Sequence, residues 1–488
     1  MKALGKLAGQ TAIYGISSVV ARLLNYLLVP YYTRIMLQAE YGVITDIYAL
    51  IPFLLIVLTM GMESGYFRFA AKAANDDEKR KVFATTWGAV GLAATIFFVA
   101  VMLFRPQVAE LTGYTDTPSY IWIVGLIVFF DVVNAIPFAR LREQGRAMKY
   151  VVVRLLSVVI NLVLCVWLYN WLPESWSVYE SSVDAGYAFI ANLVASAVTF
   201  VMLLPSCDGI MPRIDKKLLR KILLYSLPLL ISGIAGTANE YIDRQMIKYL
   251  MPAGEAMAAL GVYGAVVKIG VVMLMFTQMY RLAAEPFFLA DFKKEEFKEA
   301  NAEALKYFVL VSVLIFLTIS LFADVFALIV GRDFREGIYI LPVVLVSNML
   351  SGVVLNLSFW YKQVGATKYA IYVTGVGLIF TVVFNVMLVP KLGYFGAALA
   401  RLICEAAMVA VSYALNQRHY PINYDLRRMG EYLAVGAAMY GVGMLCAESA
   451  MWLRYGVSAL LLCLFVFYAV RRERIDVKGL MKSIIRKR

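Results

Sequence analysis

Apolar residues run along this chain in fourteen stretches of about 20 residues, separated by short polar connections. A helix of about 20 residues crosses a hydrocarbon layer of about 30 Å, so each stretch predicts one membrane span. The first stretch follows Lys2 and Lys6 as a signal peptide would. Because Arg22 interrupts it and no small-residue cleavage site follows, we interpret it as a retained helix. The predicted spans are residues 9–32, 42–62, 83–104, 118–138, 150–171, 184–205, 222–243, 259–283, 302–325, 338–360, 369–390, 395–416, 431–447 and 455–471.

Lys and Arg residues are concentrated in every second connection between these spans. Short cytoplasmic connections of membrane proteins are enriched in Lys and Arg. With both termini in the cytoplasm, 33 of the 46 Lys and Arg residues fall in predicted cytoplasmic segments and 8 in outer loops. This asymmetry favours that orientation, because a missed span would move every later connection to the other side. The remaining cations lie inside spans: Arg22, Arg154, Lys268, Arg281 and Arg401.

Composition excludes several classes of function. With 62% apolar and 16% charged residues, the chain is not a water-soluble globular protein. The net charge of +13 is spread over many short segments, which argues against nucleic-acid binding. The five cysteines and the single His419 have no metal-ligand spacing, and no Gly-rich ATP-binding motif occurs. We therefore expect no metal or cofactor, and no enzymatic activity.

A short motif occurs twice in the chain. "QGRAMKY" begins at Gln144 and "QVGATKY" at Gln363, 219 positions later, and both lie in predicted cytoplasmic connections. The same shift superposes Gly42 on Gly261 and Tyr120 on Tyr339. Six crossings return a chain to its starting side, so two such units insert the same way up. The pattern predicts an all-α membrane protein with 14 transmembrane helices, in two six-helix lobes related by a pseudo-twofold axis plus a C-terminal helix pair. We place the units at 1–220, 221–430 and 431–488.

Three longer strings show a resemblance to a known family. They are "RLLNYLLVPYYTRIMLQAEYG" from Arg22, "GMESGYFRF" from Gly61, and "NVMLVPKLGYFGAALARLICE" from Asn385. In their order, and with an added C-terminal helix pair, they resemble the polysaccharide flippases of the multidrug/oligosaccharidyl-lipid/polysaccharide exporter superfamily. The last string carries the Asn, Pro and Gly-x-x-Gly-Ala-Ala positions that are typical of these flippases: Asn385, Pro390, Gly393, Gly396, Ala397 and Ala398.

Charges inside the spans are the candidate substrate-binding residues. A charged side chain near the bilayer centre costs about 2.5–3.5 kcal/mol, so its retention needs a reason. On the first helix, Arg22 and Asn25 share one polar face with Thr11 and Ser18. The seventh helix carries a similar stripe from Ser232 to Asp243. We predict that these faces line a common cavity. The full candidate set for substrate binding is Arg22, Asn25, Lys268, Arg401, Arg154 and Arg281.

Several of these charges have alternative interpretations. Arg154 and Arg281 lie near cytoplasmic ends, from where long side chains can reach the headgroups. Arg401 precedes Glu405 by four residues, so a local ion pair is an alternative to a substrate contact. A second set is predicted for charge pairing or gating between the lobes, with interfacial anchoring as the alternative for the first two: Glu63, Arg68, Asp131, Asn239, Asp243 and Glu405.

The resemblance implies a function for the predicted cavity. It implies a flippase of a bacterial plasma membrane that moves a polyprenyl-diphosphate-linked oligosaccharide by alternating access. Its expected partners are the lipid bilayer, the lipid-linked glycan and other glycan-assembly membrane proteins. The sequence does not decide whether a cation drives transport. Two alternatives from the same superfamily stay open, namely a cation-coupled multidrug and toxin antiporter and a flippase for the lipid-linked peptidoglycan precursor. A glycan polymerase or ligase is disfavoured because no large outer loop is present.

Overall fold

The structure is a computed structural model that describes residues 19–21, 23–173, 176, 178–179, 184–288, 294–366, 368–446 and 448–474. Within these ranges every regular element is helical, which confirms the all-α prediction. The α-helices in chain order are α1 Leu28–Ile35, α2 Gln38–Thr59, α3 Met62–Ala71, α4 Asp76–Leu103, α5 Arg105–Thr112, α6 Ser119–Glu143, α7 Ala147–Trp171, α8 Gly186–Leu203, α9 Lys216–Leu250, α10 Ala253–Ile269, α11 Val271–Phe288, α12 Lys294–Leu321, α13 Ala323–Ala327, α14 Leu341–Leu357, α15 Phe359–Gln363, α16 Lys368–His419, α17 Leu426–Leu445 and α18 Met451–Arg472. The 3₁₀ segments are Leu204–Cys207 and Arg332–Ile340.

Many of these helices are long and apolar enough to span a membrane. In the described ranges ten meet this condition, or eleven if the bent pair α10 and α11 forms one span. The long helix α16 counts once here, although Gly393 interrupts it with φ 57° and ψ −140°. The chain is therefore a multi-pass membrane protein.

Polar residues in the connections fix where several helices begin. The Asn75 side chain accepts a hydrogen bond from the Glu78 N–H (2.9 Å) at the start of α4. At the start of α9, the Asp215 carboxylate accepts from the N–H groups of Leu218 (3.0 Å) and Lys217 (2.9 Å). These two bonds hold the pKa of Asp215 below its ordinary value, because they favour its ionised form. Such caps satisfy backbone donors that a helix leaves unpaired at its first turn.

Two predicted boundaries are wrong in ways that matter for the site. The seventh predicted span ends at residue 243, but α9 continues to Leu250, so Arg244 and Lys248 lie on a helix and not in an outer loop. The eighth predicted span is divided, because α10 and α11 meet at Gly270 with a bend of 47°. Hydropathy missed the longer α9 because its last turns carry charged residues, whose pairing depends on the tertiary structure. It missed the division at Gly270 because this residue lies within an uninterrupted apolar stretch.

The doubled heptapeptide forms the same kind of turn twice. Helix α6 ends before Gly145 (φ 68°), and α15 ends before Gly365 (φ 72°). A positive φ is readily adopted only by glycine, so each helix stops there and the chain reverses into the next helix. The glycine is offset by one position between the copies, which is why it does not appear among the shared letters.

The centre of the molecule is the junction of α2 with α9 and α10. Helix α2 packs against both of these later helices, and α9 in turn packs along α16. Helices α17 and α18 lie at one side, where they contact α12. The junction therefore brings the first half of the chain against the second half, and the cavities described below lie along it.

Candidate functional site: two polar cavities between the helices

Glycines set the closest approach across the junction. A Cβ atom on Gly42 would lie 2.0 Å from the carbonyl oxygen of Met257, and one on Gly261 would lie 2.0 Å from that of Gln38. Real Cβ atoms do not approach backbone so closely, so only glycine permits α2 and α10 to cross at this distance. Two polar cavities lie beside this contact, and Tyr41 of α2 lines both of them.

The first cavity has a volume of about 240 Å³, and most of its charged lining residues are cations. Helices α2, α9, α10, α14 and α16 contribute to it, together with residues of the first helix and the start of α11. Its charged lining residues are Glu240, Arg244, Lys268 and Arg401. Three cations and one carboxylate leave the wall with net positive charge, so it is suited to an anionic ligand.

The two arginines of the first cavity are held by one carboxylate. Asp243 forms an ion pair with Arg244 (Nη1 to Oδ1, 2.8 Å) and lies 3.8 Å from Arg401 (Nη1 to Oδ2). The Tyr263 hydroxyl also donates to Asp243, and Arg401 donates to Asn348 Oδ1 at 3.4 Å. Asp243 thus orients both guanidinium groups while neutralising only one of their two charges.

Lys268 is the cation with the least local compensation. Its ammonium group lies 5.4 Å from the centre of the Tyr26 ring, and it forms no ion pair with any carboxylate in the described part of the chain. A charge within a membrane-spanning segment is normally paired, because its transfer from water is costly. An unpaired ammonium group that faces a cavity is therefore a candidate ligand contact.

A second cavity adjoins the first and has a volume of about 270 Å³. Lys268 lines both cavities, as do Tyr41 and Tyr48, so the two spaces meet at these side chains. The second cavity is otherwise lined by asparagines, tyrosines and aliphatic side chains, with a single carboxylate, Asp131. Its polar residues from the helices are Asn25, Asp131, Asn161 and Asn192.

The remaining predicted binding residues lie elsewhere. Arg22 falls outside the described residues. Arg154 is exposed, with its guanidinium 5.9 Å from the Phe138 ring centre, and Arg281 is also exposed. Neither of them lines the two cavities.

Three polar residues that we predicted for pairing or gating point into the protein. Asn239 donates to the carbonyl of Thr374 (3.1 Å) and lines neither cavity. From the same helix, Glu240 and Arg244 line the first cavity. Glu405 is buried, and among the described residues Arg401 pairs with Asp243 and not with Glu405. Asp131 accepts a hydrogen bond from the Ser196 hydroxyl at 2.7 Å.

One end of the junction is closed by buried polar contacts. Asp46, which is fully buried on α2, forms an ion pair with Lys248 of α9 and accepts hydrogen bonds from Gln245 (2.6 Å) and the Tyr114 hydroxyl (2.5 Å). Lys248 also donates to the Thr112 carbonyl at 2.7 Å. We call this cluster of Asp46, Tyr114, Gln245 and Lys248 the outer lock, because the charge pattern predicts that its end of the bundle faces outward.

The opposite end contains the predicted gating residues of α3. Glu63 forms an ion pair with Arg142. Arg68 stacks on Tyr225 of α9, with 4.2 Å between the guanidinium carbon and the ring centre. The Arg68 contact thus joins the first half of the chain to the second.

Comparison with known proteins assigns the family. A profile described as polysaccharide biosynthesis protein matches residues 7–289, more than half of the chain. The chain belongs to this family. No curated protein sequence matches this polysaccharide biosynthesis protein.

Solved structures share its fold. They include lipid II flippase MurJ in an inward closed conformation, with a TM-score of 0.74, 14% identity, and coverage of 95% of this chain and 100% of that chain. An inward-facing multidrug resistance MATE family transporter of the MOP superfamily matches with a TM-score of 0.63 and 16% identity, covering 87% and 96%. The MATE multidrug transporter DinF-BH, solved as a complex, matches at 0.61 and 16%, covering 85% and 95%.

Sequence reasoning missed several lining residues, chiefly Arg244, Tyr48 and Asn348. Arg244 was assigned to a loop, although its spacing of four from both Glu240 and Lys248 would have placed it on one helical face with them. The tyrosines carry no such indication, because a membrane protein has many aromatic residues at its interfaces.

Proposed function

We propose that this polysaccharide biosynthesis protein is a flippase that moves a polyprenyl-diphosphate-linked oligosaccharide from the cytoplasmic to the outer leaflet of a bacterial plasma membrane. The observation that carries the proposal is the position of Lys268. Its ammonium group faces both cavities, beside Arg244 and Arg401, without a carboxylate of its own among the described residues. Family membership supports a glycan substrate.

The chemistry of the cationic wall suits a diphosphate. Arginine offers forked donors that match phosphate oxygens, and lysine offers a compact point charge. Asp243 holds the two guanidinium groups in place before a ligand arrives, which reduces the entropy that binding costs. These cations offset part of the negative charge of a bound headgroup while it crosses the low-dielectric layer. The prenyl tail stays in lipid.

We further propose fourteen spans in two six-helix lobes and a C-terminal pair. Beyond the ten helices already counted, the bent pair α10–α11 supplies one span, the second arm of α16 after Gly393 another, α17 a third, and the helix that contains Asn25 the last. The lobes are residues 1–220 and 221–430, followed by the pair at 431–488. We also propose that both termini are cytoplasmic.

Contacts across the junction support the pseudo-twofold relation. Gly42 meets Met257 while Gly261 meets Gln38, and each of these residues lies 219 positions from its counterpart in the other pair. Such reciprocity is expected of a twofold interface, where residue i contacts j and j contacts i.

Within the lobes the same shift relates two further contacts. Tyr66 and Glu143 form a hydrogen bond (3.4 Å) in the first lobe. The residues 219 positions later, Glu285 and Lys362, form an ion pair (2.8 Å) in the second.

Alternating access is the mechanism that these contacts support. The outer lock and the glycine crossing hold one end of the junction closed, so the proposed cargo enters the cavities from the cytoplasmic side. Rocking of the lobes would open the outer lock and release the headgroup outside.

A second candidate function is cation-coupled multidrug antiport. Glu240 in the first cavity and Asp131 in the second favour it, since cationic cargo needs carboxylates. The three cations of the first cavity oppose it. A flippase for a lipid-linked peptidoglycan precursor would use the same headgroup chemistry as our proposal, and differs only in the sugar.

Reconstituted protein tests the proposal. In liposomes, the wild type is expected to translocate a fluorescent polyprenyl-diphosphate glycan. K268Q should weaken binding of polyprenyl diphosphate by about 10- to 100-fold, because a charge-assisted contact contributes about 1.5–3 kcal/mol. R281Q is the matched control, since Arg281 is a cation on a membrane helix but outside both cavities. Equal effects of the two variants, or transport of organic cations instead of the glycan lipid, would contradict the proposal.

A further inference from the structure

The second cavity contains polar side chains with unused hydrogen-bonding capacity. Asn25 forms no hydrogen bond with another described residue. Asn161 only accepts, from the Cys165 thiol at 3.6 Å, and Asn192 makes one long contact with the Tyr48 hydroxyl at 3.5 Å. Asp131 also lines the cavity, and Ser196 donates only to its Oδ1. Polar groups inside a membrane protein normally find partners, so this concentration of open donors and acceptors indicates a polar ligand.

The donors and acceptors of this cavity suit hydroxyl groups better than ions. Amide side chains offer both an acceptor oxygen and a donor NH₂, and a sugar hydroxyl needs both in close proximity. A phosphate would be repelled by Asp131, and a metal cation by the ammonium group of Lys268, which shares the wall.

The remaining wall is aromatic and apolar. Tyr32, Tyr41 and Tyr48 line the cavity, and Tyr48, the least buried of the three, can offer its ring to the C–H face of a sugar. Tyr32 and Tyr41 are almost fully buried, and Tyr41 stacks edge-on against Phe334 with 5.5 Å between ring centres. Rigid rings beside open amides provide a preformed site and not a flexible surface.

We propose that the second cavity is the subsite for the sugar that is joined directly to the lipid diphosphate. This inference rests on the proposed function, and it divides the site into two parts. The first cavity binds the diphosphate, the amide-lined second cavity binds the sugar hydroxyls, and Lys268 lies between them at the sugar–phosphate linkage. At about 240 and 270 Å³, each cavity alone is small for a drug-sized ligand, for which about 300–1,000 Å³ is usual, but a headgroup can occupy both.

Binding of two probes to purified protein tests the division. The probes are polyprenyl diphosphate alone and the same lipid carrying one glucose, galactose or N-acetylglucosamine. Wild-type protein is expected to bind at least one sugar-bearing probe about tenfold more tightly than the bare lipid. The variant N161L/N192L keeps the number and branching of the side-chain heavy atoms but replaces both amides with somewhat bulkier methyl groups. It should lose that preference while its affinity for the bare lipid stays within about twofold of wild type.

Controls separate the possible failures. N170L changes an asparagine of the same helix α7 that lines neither cavity, and it should behave as wild type. K268Q should weaken binding of both probes. Unchanged sugar preference in N161L/N192L, equal loss of both probes, or a sodium-dependent affinity that the variant abolishes would overturn the sugar subsite. Wild-type protein that binds neither probe would overturn the proposed function as well.

Discussion

The carboxylate of Glu473 ties the C-terminal helix pair to α12. Its side chain is 2% exposed and forms ion pairs with Lys306 of α12 (2.6 Å) and Arg428 of α17 (3.4 Å). The hydroxyl of Tyr432 also donates to it. Burial alone would raise the pKa of Glu473, but these hydrogen bonds and cations outweigh burial and lower it.

The lowered pKa predicts an acid-sensitive attachment. Because the carboxylate is more acidic in the folded protein, its contribution to stability is complete above the unfolded pKa of about 4.3 and is lost as the pH falls through the folded value. E473Q should lower the free energy of unfolding by about 3 kcal/mol at neutral pH, because it leaves Lys306 without its charge partner. Thermal unfolding in detergent at pH 7 and pH 4 measures this. A variant as stable as wild type at pH 7 would contradict the role of Glu473.

At this scale the sequence pointed to some of the residues that line the cavities and missed others. Lys268 and Arg401 were predicted because a charge in an apolar span has a high cost, whatever surrounds it. Arg244 was missed because its pairing with Asp243 allows a charged turn to continue α9 beyond the apolar stretch. The tyrosines of the cavities were missed because nothing in one sequence separates a cavity-lining ring from a lipid-facing one.

Among the helical elements, the crossing of α2 and α10 depends on two glycines. G42A or G261A would place a methyl group against backbone at 2.0 Å, and neither helix can relieve this without moving away. We expect each variant to cost about 1–3 kcal/mol, the range for overpacking a close contact. The midpoint of thermal unfolding in detergent measures the loss.

A glycine in open space provides the control for this prediction. A Cβ atom added to Gly91 of α4 would have no atom within 4 Å, so G91A should be neutral or slightly stabilising. If G42A and G91A have the same unfolding temperature, the crossing is not limited by the glycines.

Element positions were the most predictable feature of the fold, and their breaks the least. Twenty apolar residues in succession predict a span by length alone, and the repeated heptapeptide predicted equivalent connections that the structure forms as glycine turns. The bend at Gly270 was not predicted, because it lies within uninterrupted hydropathy and depends on how neighbouring helices pack. The interruption at Gly393, in contrast, falls in the predicted connection between the spans 369–390 and 395–416.

For the molecule as a whole, we propose that the outer lock keeps its end of the junction closed. K248M would leave Asp46 buried without its ion-pair partner, a loss on the order of 3 kcal/mol in the closed state. If opening exposes Asp46 to water, that loss shifts the ratio of open to closed molecules by about 100-fold. A cysteine pair at Gln38 and Glu336, whose side-chain ends hydrogen-bond at 2.9 Å, reports closure through cross-linking by a short bifunctional thiol reagent.

The matched control for the lock is a surface pair. K298M removes the Lys298–Glu295 pair, which contributes little because the Glu295 carboxylate is exposed to solvent. We expect cross-linking between positions 38 and 336 to fall in K248M and to be unchanged in K298M. Equal cross-linking in both variants would show that the lock does not control this end.

The sequence by itself determined the helical class, the multi-pass membrane location and the short list of charges that need an explanation. These follow from local quantities, namely the length of apolar runs and the cost of a charge within them. Only the tertiary structure decided which charges meet, because the rotation of each helix about its axis depends on contacts with residues far away in the chain. Asp243 joins Arg244 to Arg401, and Lys268 stands between two cavities, only because α9, α10 and α16 pack together at the junction with α2.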